Sequence, residues 1–324
     1  MRWLTNASWF AFGMRAFTRG GYERAAAAFA DGALQSDHAG KLVAVTGANS
    51  GVGFEAAKAL AARGCSVLML CRSRERGEAA AERVRRETGS SDVHLHVCDV
   101  SSLHSIESFA SAFLADSKRP LHALVNNAGA LLAERGRSGE GLDLSFATNT
   151  LGGVALAARL LPALRAAPGA RVVFVSSGGM YTEKLELSGW DDASAPWDGT
   201  RAYALDKRRQ VAAAEELARR WGPLGVKVVS MHPGWADTEG VRTSLPGFAE
   251  KMGSRLRTAA QGADTITWLC LEDAAKLEGG AFYLDRAPQA KHLTWSGTEY
   301  DDSAAAALVD KLLGLAGLGA PTAA

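Results

Sequence analysis

The sequence has no apolar run near the roughly 18 uninterrupted residues that a membrane-spanning helix requires. It also has almost no net charge, because 36 Lys and Arg residues balance 35 Asp and Glu residues to a formal charge of +1. A chain without a global positive field is not drawn to nucleic acid or to an acidic membrane surface. We therefore expect neither a membrane-spanning segment nor a nucleic-acid partner.

Cysteine is scarce, with four residues at Cys65, Cys71, Cys98 and Cys270. They show neither the CxxC spacing of a metal or redox site nor the density of a disulfide scaffold. We predict buried, reduced thiols, no metal site and a protein of a reducing compartment, which favours the cytoplasm. The sequence leaves the oligomeric state open.

The segment before residue 39 carries apolar side chains at helical spacing, namely Trp9, Phe10, Gly13, Met14 and Phe17. Such spacing places them on one face of a helix. We predict an N-terminal helical extension over residues 1–38 whose apolar face docks on the rest of the protein. Peripheral contact with a lipid surface and a targeting peptide remain the alternatives.

Beyond residue 39, short apolar runs alternate with longer segments of helical period, which is the pattern of βαβ units and a parallel sheet. Most of the runs are continuously apolar, as expected for strands covered by helices on both faces. We predict a single α/β domain over 39–324 with a Rossmann-type, doubly wound, parallel seven-stranded sheet. The predicted strands are Leu42–Thr46, Ser66–Cys71, Val93–Cys98, His122–Asn126, Arg171–Ser176, Val226–Met231 and Gly280–Leu284.

The first predicted strand runs into TGANSGVG, which places Gly47, Gly51 and Gly53 between a strand and a helix. Glycines there permit positive φ and let the backbone approach a pyrophosphate, whose charge is met by the helix start. No Lys-Ser or Lys-Thr pair follows, as a nucleotide triphosphatase would need. The turn therefore predicts a dinucleotide site at the carboxyl edge of the sheet.

In RAYALDKRRQ a tyrosine stands four residues before a lysine, so Tyr203 and Lys207 lie one above the other on a helix face. A phenol with an ordinary pKa of about 10 is too weak an acid for work near neutral pH. A nearby ammonium favours the phenolate and lowers that pKa. The pair indicates acid–base chemistry, while the same spacing also occurs in ordinary solvent-facing helices.

Taken in order, the motifs at the strand ends resemble those of the short-chain dehydrogenase/reductase family. Thr46–Gly53 resembles its cofactor turn, Asn126–Gly129 resembles the NNAG motif that braces the central strand, and His232–Thr238 resembles the stretch after strand six. Further segments, including the one before the first strand, resemble one subgroup of the family, so the similarity covers nearly the whole chain. The cofactor contacts that the resemblance implies are Gly47, Asn49, Ser50, Gly51, Val52, Gly53, Arg72, Ser73, Asp99, Val100, Asn127, Ala128, Gly129, Tyr203, Lys207, Pro233, Gly234 and Thr238.

The same resemblance implies a catalytic tetrad of Asn149, Ser177, Tyr203 and Lys207. Tyr203 would give its proton to a carbonyl oxygen as hydride arrives, or accept it in the reverse direction, and Lys207 would lower its pKa and hold the nicotinamide ribose. Ser177 would polarise the carbonyl group, and Asn149 would hold a water molecule that links Lys207 to solvent.

Asp206 departs from the family pattern, in which many members have serine directly before the lysine. Three residues from Tyr203, its carboxylate could raise the phenol's pKa and oppose Lys207. Alternatively, it turns outward and pairs with Arg209 or accepts a hydrogen bond from Gln210. Asp206 is also the one hint of a second function class, a dinucleotide-binding scaffold or redox sensor that has lost useful turnover.

The end of the second predicted strand, LMLCRSRERGE, bears on the choice of cofactor. An NAD-preferring site usually places Asp or Glu about 20 residues beyond the glycines. Here no acid precedes Glu75, and Arg72 follows the strand with Ser73 and Arg74 beside it. A guanidinium there can bind a 2′-phosphate through charge-assisted hydrogen bonds. We predict NADP(H), with a solvated start of the next helix as the alternative role for Arg72.

Two segments lack a clear pattern, at about 178–200 and 234–257, and each follows a predicted strand. The second mixes Trp235, Leu245, Phe248 and Met252 with glycines where the family builds its substrate lid. Apolar groups around a polar catalytic point favour a lipophilic carbonyl or alcohol, such as a long-chain aldehyde, a retinoid or a steroid-like ketone. Packing of these residues onto the sheet, above a small polar substrate, is the alternative.

The first of these segments contributes further apolar candidates. Met180 and Tyr181 follow Ser177 and are expected to add to the apolar surroundings of the substrate. Trp190 and Trp197 are either anchors of the loop or walls of the substrate site, and the sequence leaves both roles open.

Overall fold

The computed structural model describes residues 2–116, 119–192, 194, 196–294 and 296–319. The other positions, which include parts of the predicted ranges 1–38, 39–324 and 178–200, lie outside the described residues. The strands are β1 (Leu42–Thr46), β2 (Ser66–Cys71), β3 (Val93–Val97), β4 (Ala123–Asn126), β5 (Arg171–Val175), β6 (Lys227–Met231), β7 (Phe282–Leu284) and β8 (Ala287–Gln289).

The strands form one sheet in the order β3-β2-β1-β4-β5-β6-β7-β8. β1 to β7 pair in parallel, whereas β7 and β8 pair antiparallel. The order runs outward in both directions from β1 and β4, so the predicted doubly wound α/β fold is confirmed. The switch between β1 and β4 is where such sheets bind ligands.

The predicted strand count of seven is wrong, because the sheet has eight strands. β7 and β8 are joined by Asp285 and Arg286, which have φ angles of +51° and +60°. Positive φ at both central residues is the conformation of a tight hairpin turn. Neither residue is glycine, so the sequence carries no turn signal there. Pro288 is tolerated in β8 because that strand is at the edge of the sheet.

Helices cover both faces of the sheet, and the two segments predicted without secondary structure, about 178–200 and 234–257, contain short helices. A 3₁₀ helix, Gly178–Thr182, follows β5, and a π-helical turn, Ala147–Leu151, interrupts the helix after β4. The α-helices are α1 (Arg2–Ala16), α2 (Arg19–Ala26), α3 (Gly32–Gln35), α4 (Gly51–Ala61), α5 (Arg74–Thr88), α6 (Leu103–Asp116), α7 (Leu144–Phe146), α8 (Gly152–Arg159), α9 (Leu161–Arg165), α10 (Gly199–Trp221), α11 (Glu239–Ser244), α12 (Pro246–Met252), α13 (Ala259–Leu271) and α14 (Asp302–Leu315).

The core has one apolar cluster on each face of the sheet. Successive residues of a strand point to opposite faces, so Leu42 belongs to one cluster and Val43 to the other. Both are buried, which explains why the strand is continuously apolar. The four cysteines are buried and free, as predicted. β3 is the other edge of the sheet, and its partial exposure differs from the full burial of β1.

A third apolar cluster holds the N-terminal extension against the carboxyl edge of the sheet. Phe17 is buried there with Trp235 and Met252, and Trp9 and Phe10 pack against them. The apolar face predicted for the extension thus packs on the rest of the protein. Among the described residues, no helix combines the length and apolar character that crossing a membrane takes.

Candidate active site

The turn after β1 has the backbone that a pyrophosphate site requires. Gly47 and Gly51 have φ angles of +64° and +57°, a region that favours glycine. Ser50 precedes α4 in an extended conformation, and its side chain makes no capping hydrogen bond to the helix. Since the first N–H groups of a helix have no partner within it, this uncapped end fits a phosphate group.

The NNAG motif after β4 braces this turn. The Thr46 hydroxyl accepts hydrogen bonds from the N–H groups of Asn127 and Ala128, each at 2.9 Å, and donates to the Val125 carbonyl at 3.2 Å. The Asn127 amide donates to the Thr46 carbonyl at 2.9 Å. A side chain at Gly53 would overlap the Asn127 amide. The ends of β1 and β4 are therefore held as one unit.

Four of the predicted cofactor contacts stand at the ends of β2 and β3, which are neighbours in the sheet. Arg72 directly follows β2 and is exposed, and it forms an ion pair with none of the described residues. Ser73 caps α5 by accepting a hydrogen bond from the Arg76 N–H at 3.3 Å. Asp99 is half-buried and accepts hydrogen bonds from Ser101, and Val100 beside it is buried.

The stretch after β6 meets the glycine turn from the other side. Thr238 caps α11 by accepting a hydrogen bond from the Val241 N–H at 3.2 Å. A side chain at Gly51 would come within 3.2 Å of the Thr238 methyl group. Pro233 and Gly234 lie between this threonine and β6. The structure thus brings the glycine turn, the NNAG motif and the stretch after β6 together at one edge of the sheet.

Tyr203 and Lys207 lie one turn apart on α10, and Ser177 follows β5 beside them. The Lys207 Nζ atom is 5.3 Å from the centre of the Tyr203 ring. Lys207 is buried, and its ammonium donates a hydrogen bond to the Val175 carbonyl at 2.9 Å. The Ser177 hydroxyl accepts from the Gly179 N–H at 3.2 Å, and its interaction with Tyr203 lowers the pKa of that phenol.

Asn149 lies in the π-helical turn, a local widening that is common at functional sites. Its Oδ1 accepts from the Ala130 N–H at 2.9 Å and its Nδ2 donates to the Ala130 carbonyl at 2.8 Å. A side chain at Gly129 would come within 2.9 Å of the Asn149 Oδ1 and 3.3 Å of the Lys207 Nζ. Both side chains thus lie close to the backbone of Gly129, the last residue of the NNAG motif.

Burial dominates the proton affinities in this cluster. It raises the pKa of Tyr203 to about 12, the Ser177 hydroxyl lowers it, and the Asp206 carboxylate raises it. Burial lowers the pKa of Lys207 to about 8, and Asp206 raises it. Both directions follow from the cost of a charge in a low-dielectric site. In the protein alone, the phenol is therefore a weaker acid than an exposed tyrosine.

The outward orientation considered for Asp206 is wrong. Its carboxylate is buried and pairs with Arg209 at 3.0 Å, with both side chains at most 4% exposed. It also accepts hydrogen bonds from Ser145 at 2.7 Å and Thr150 at 3.3 Å. Periodicity predicted this pair, but it could not show that α7 and the π-helical turn cover that face of α10.

The two loop tryptophans each make a contact that anchors the loop, and both also line a cavity beside α10. Trp190 is buried and stacks on Phe146 with ring centres 4.5 Å apart. The Trp197 indole donates to the Leu132 carbonyl at 3.2 Å. Met180 and Tyr181 are buried in the third cluster, so the apolar surroundings expected from them do not face an open pocket. Positions 193 and 195 of this loop lie outside the described residues.

A sequence profile described as short chain dehydrogenase matches residues 41–246 of the chain. The chain belongs to this family. It is 42% identical over 286 residues to Dehydrogenase/reductase SDR family member 12 of Homo sapiens, covering 88% of this chain and 89% of that protein. It is 34% identical over 260 residues to Retinol dehydrogenase 11 of Homo sapiens, covering 79% of each chain.

A solved structure shares both fold and sequence with this short-chain dehydrogenase. The crystal structure of an uncharacterized protein from Mycobacterium Paratuberculosis superimposes with a TM-score of 0.71 at 27% identity, covering 89% of this chain and 98% of that chain. Together with the family match, this confirms the predicted family and its Rossmann-type fold. Membership makes the protein an oxidoreductase of the family.

Sequence reasoning named Trp9 as part of an apolar face but missed the hydrogen bonds that connect the N-terminal extension to this dehydrogenase's site. The Trp9 indole donates to the carbonyl of Gly178, the residue after Ser177, at 2.6 Å. The Arg257 guanidinium donates to the Ala16 carbonyl at 2.7 Å and pairs with Asp285 at 2.6 Å. These partners are far apart along the chain, so no local pattern could have indicated them.

Proposed function

We propose that this short-chain dehydrogenase transfers hydride between NADP(H) and a carbonyl or alcohol carbon, with Tyr203 as general acid or base. One observation carries the proposal: Ser177 and Lys207 both lie beside Tyr203, and the Lys207 ammonium also lies beside Gly129, in the motif that braces the glycine turn. A dinucleotide held on that turn would extend along this edge of the sheet toward the phenol. A carbonyl oxygen between the two hydroxyl groups would be within reach of both.

The roles of the side chains follow from their chemistry. The bound cofactor supplies or accepts the hydride at its nicotinamide ring. Tyr203 passes its proton to the substrate oxygen in reduction, and Ser177 donates a hydrogen bond that polarises the carbonyl. Lys207 in its charged form favours the phenolate, which opposes the effect of burial on the Tyr203 pKa. Asn149 holds the backbone against which Lys207 rests.

NADP(H) is favoured over NAD(H) by charge at the end of β2. Arg72 is exposed where an adenosine 2′-phosphate would lie, and no acidic residue precedes Glu75 in that turn. A guanidinium can bind such a phosphate with two charge-assisted hydrogen bonds. The ribose 2′-hydroxyl of NAD(H) would find no carboxylate acceptor at that point.

A lipophilic carbonyl or alcohol is the substrate class best supported. The relative named Retinol dehydrogenase 11 is 34% identical to this chain. In the stretch after β6, Trp235 and Phe248 stand in edge-to-face contact with ring centres 5.2 Å apart. Phe248 is half-buried, so part of its surface is available to an apolar molecule. Trp235 and Met252 are buried and pack the lid instead.

A dinucleotide-binding scaffold or redox sensor is the second candidate. The observation in its favour is the raised pKa of Tyr203, to which the buried Asp206 carboxylate contributes. A phenol that holds its proton up to a pKa of about 12 is a poor base near neutral pH. In that case the fold would bind NADPH without efficient turnover.

Tyr203→Phe separates the two candidates. We expect it to lower carbonyl-dependent oxidation of NADPH by roughly 10²- to 10⁴-fold, the usual contribution of a general acid, while NADPH affinity stays within about twofold. The assay uses a panel of long-chain aldehydes, a retinoid aldehyde, steroid-like ketones and small polar ketones. If the wild-type protein binds NADPH but turns over no substrate faster than Tyr203→Phe does, the scaffold candidate replaces the enzyme. Exclusive activity on the polar ketones would end the lipophilic assignment.

A further inference from the structure

A buried carboxylate on α10, that of Asp206, packs against α7 and the π-helical turn. The Oδ2 atom of Asp206 accepts a hydrogen bond from the Ser145 hydroxyl at 2.7 Å. Its Oδ1 atom accepts from Arg209 at 3.0 Å and from the Thr150 hydroxyl at 3.3 Å. The mechanism proposed above gives this carboxylate no role, although it directly precedes Lys207.

The hydrogen bonds of Ser145 have a fixed direction. A serine hydroxyl has one proton to donate and two lone pairs that accept. Because that proton is directed to Asp206, the oxygen presents a lone pair to Asn149, whose Nδ2 donates to it at 3.2 Å. The amide group of Asn149 therefore has its nitrogen held toward Ser145.

In this same orientation, the Asn149 amide binds the backbone of Ala130, the residue that follows the NNAG motif. With one N–H on Ser145, its second N–H reaches the Ala130 carbonyl and its oxygen receives the Ala130 N–H. Both polar backbone groups of Ala130 are thus bound by one side chain. A turned amide would place like groups against each other and lose all three hydrogen bonds.

We propose that Asp206 is a positioning residue that, through the Ser145 hydroxyl, orients the Asn149 amide and so holds the Gly129–Ala130 backbone beside Lys207. The effect of Asp206 on catalysis rests on the proposed function. Its effect on the hydrogen bonds between Asn149 and Ala130 does not. Asp206 and Lys207 are neighbours on α10. The hydrogen bonds that run from Asp206 through Ser145 and Asn149 therefore lead back to the helix that carries the proposed acid–base pair.

A simpler role for Asp206 is to neutralise Arg209. That guanidinium lies 5.3 Å from the centre of the Phe146 ring and 5.0 Å from that of Trp190, and it donates to the Glu186 carbonyl. A buried cation needs a partner, and Asp206 supplies one. Under this role alone, the hydrogen bonds from Ser145 and Thr150 would be equivalent supports of the carboxylate. The two roles therefore differ in what Ser145 does beyond Thr150.

Ser145→Ala and Thr150→Val form a matched pair, because each removes one buried hydroxyl donor to Asp206. Of these two hydroxyl groups, the one on Ser145 accepts a hydrogen bond from the Asn149 side chain, whereas the one on Thr150 binds Asp206. In Ser145→Ala, we expect amide hydrogen exchange of the Ala130 N–H to rise roughly three- to tenfold, the range of one lost hydrogen bond. Thr150→Val should leave that exchange rate within about twofold of wild type. A rate unchanged in Ser145→Ala, or raised equally in both variants, would overturn the proposal.

Turnover supplies the second readout. We expect kcat to fall roughly three- to tenfold in Ser145→Ala and to stay near wild type in Thr150→Val, with NADPH affinity little changed in both.

A double variant tests whether Asp206 acts through Ser145. In Asp206→Asn the new amide oxygen stays with Arg209 and Thr150, so the amide NH2 group faces Ser145 and can no longer accept the Ser145 proton. Adding Asp206→Asn to Ser145→Ala should therefore cause no further loss of Ala130 protection, and a further loss would contradict action through Ser145.

The two proposals fail in different ways. Wild-type turnover no faster than that of Tyr203→Phe would remove the proposed function, whereas the exchange rates of Ala130 in Ser145→Ala and Thr150→Val need no turnover. Normal turnover with equal exchange in both variants would remove only the positioning role of Asp206.

Discussion

The two halves of the candidate site differ in how far they depend on the rest of the protein. At the ends of β1 and β2, two of the side chains that would meet the cofactor, Ser50 and Arg72, are exposed. On α10 and in the π-helical turn, Lys207, Asp206 and Asn149 are each at most 2% exposed and bonded to other elements, while Tyr203 and Ser177 are half-buried. Cofactor choice can therefore change through surface substitutions, whereas the residues that support Tyr203 are part of the packed interior.

The difference matters for the N-terminal extension, which belongs to the buried half. Trp9 and Gly178 are 169 residues apart in the chain and share a hydrogen bond. The Phe17 carbonyl accepts from the Trp235 N–H at 2.8 Å, next to the predicted cofactor stretch after β6. The extension thus contacts the backbone on both sides of the proposed catalytic point.

The largest effect is expected from Arg257→Met. Arg257 pairs with Asp285 at 2.6 Å, with side chains 1% and 9% exposed, and also binds the Ala16 carbonyl. Removing one partner of a buried pair leaves an uncompensated charge, so we expect the free energy of unfolding in urea to fall by about 3–5 kcal/mol.

The matched control for this experiment is an exposed pair of the same type. Arg242 binds Asp237 at 2.6 Å, with side chains 68% and 34% exposed. Water solvates both ions when such a pair is broken. Arg242→Met should therefore leave the unfolding midpoint nearly unchanged. Equal losses of unfolding free energy in the two variants would show that the buried half does not depend more strongly on its contacts with the rest of the protein.

Arg72→Asp tests the exposed half of the candidate site, at the ends of β1 and β2. One charge-assisted contact contributes about 1.5–3 kcal/mol, so we expect NADPH affinity to fall by at least roughly tenfold, with a much smaller change for NADH. Because Arg72 is exposed, the urea unfolding midpoint should stay at the wild-type value. Fluorescence titration measures both affinities. An equal loss for the two cofactors, or a wild-type preference for NADH, would show the assignment of Arg72 to be wrong.

The smallest effect is expected from Trp9→Phe, which keeps a ring in the third cluster but removes the N–H donor to the Gly178 carbonyl. Loss of one hydrogen bond should lower the free energy of unfolding by about 1 kcal/mol. Because Gly178 follows Ser177, we also expect kcat/KM to fall by about twofold or more for a one-bond loss of this size.

Trp268→Phe is the matched control for this last substitution. The Trp268 indole donates to Glu272 at 3.2 Å on α13, away from the proposed catalytic residues. Trp268→Phe should lower the free energy of unfolding by a similar amount and leave kcat/KM unchanged. If both variants lower kcat/KM alike, the extension has no specific role at the site.

The fold and the motifs at the strand ends were within reach of the sequence. Continuous apolar strands such as Leu42–Thr46 are covered on both faces, as predicted. Carboxyl ends of parallel strands meet at one edge of a sheet, so the order of motifs sufficed to place Gly47, Ser177 and Thr238 at that edge. The roles given to these residues in catalysis and cofactor binding stay predictions.

Other features depended on contacts that no local pattern encodes. The hairpin turn at Asp285 and Arg286 has positive φ without glycine, and each of the two side chains is held by an ion pair with a distant residue. The outward orientation of Asp206 failed because helical periodicity specifies a face of α10 but not what packs against it. Ser145, 61 residues away, supplies that packing and a hydrogen bond.

By itself, the sequence determined the seven parallel strands, their order along the chain and the chemical groups at their ends, because these follow from local periodicity and from the geometry of parallel sheets. Tertiary structure alone decided how far the polar groups of the candidate site are buried. Burial raises the pKa of Tyr203 to about 12 and lowers that of Lys207 to about 8. Both shifts come from the low dielectric created by residues distant in sequence, so the proton affinities of the site are a property of the folded chain.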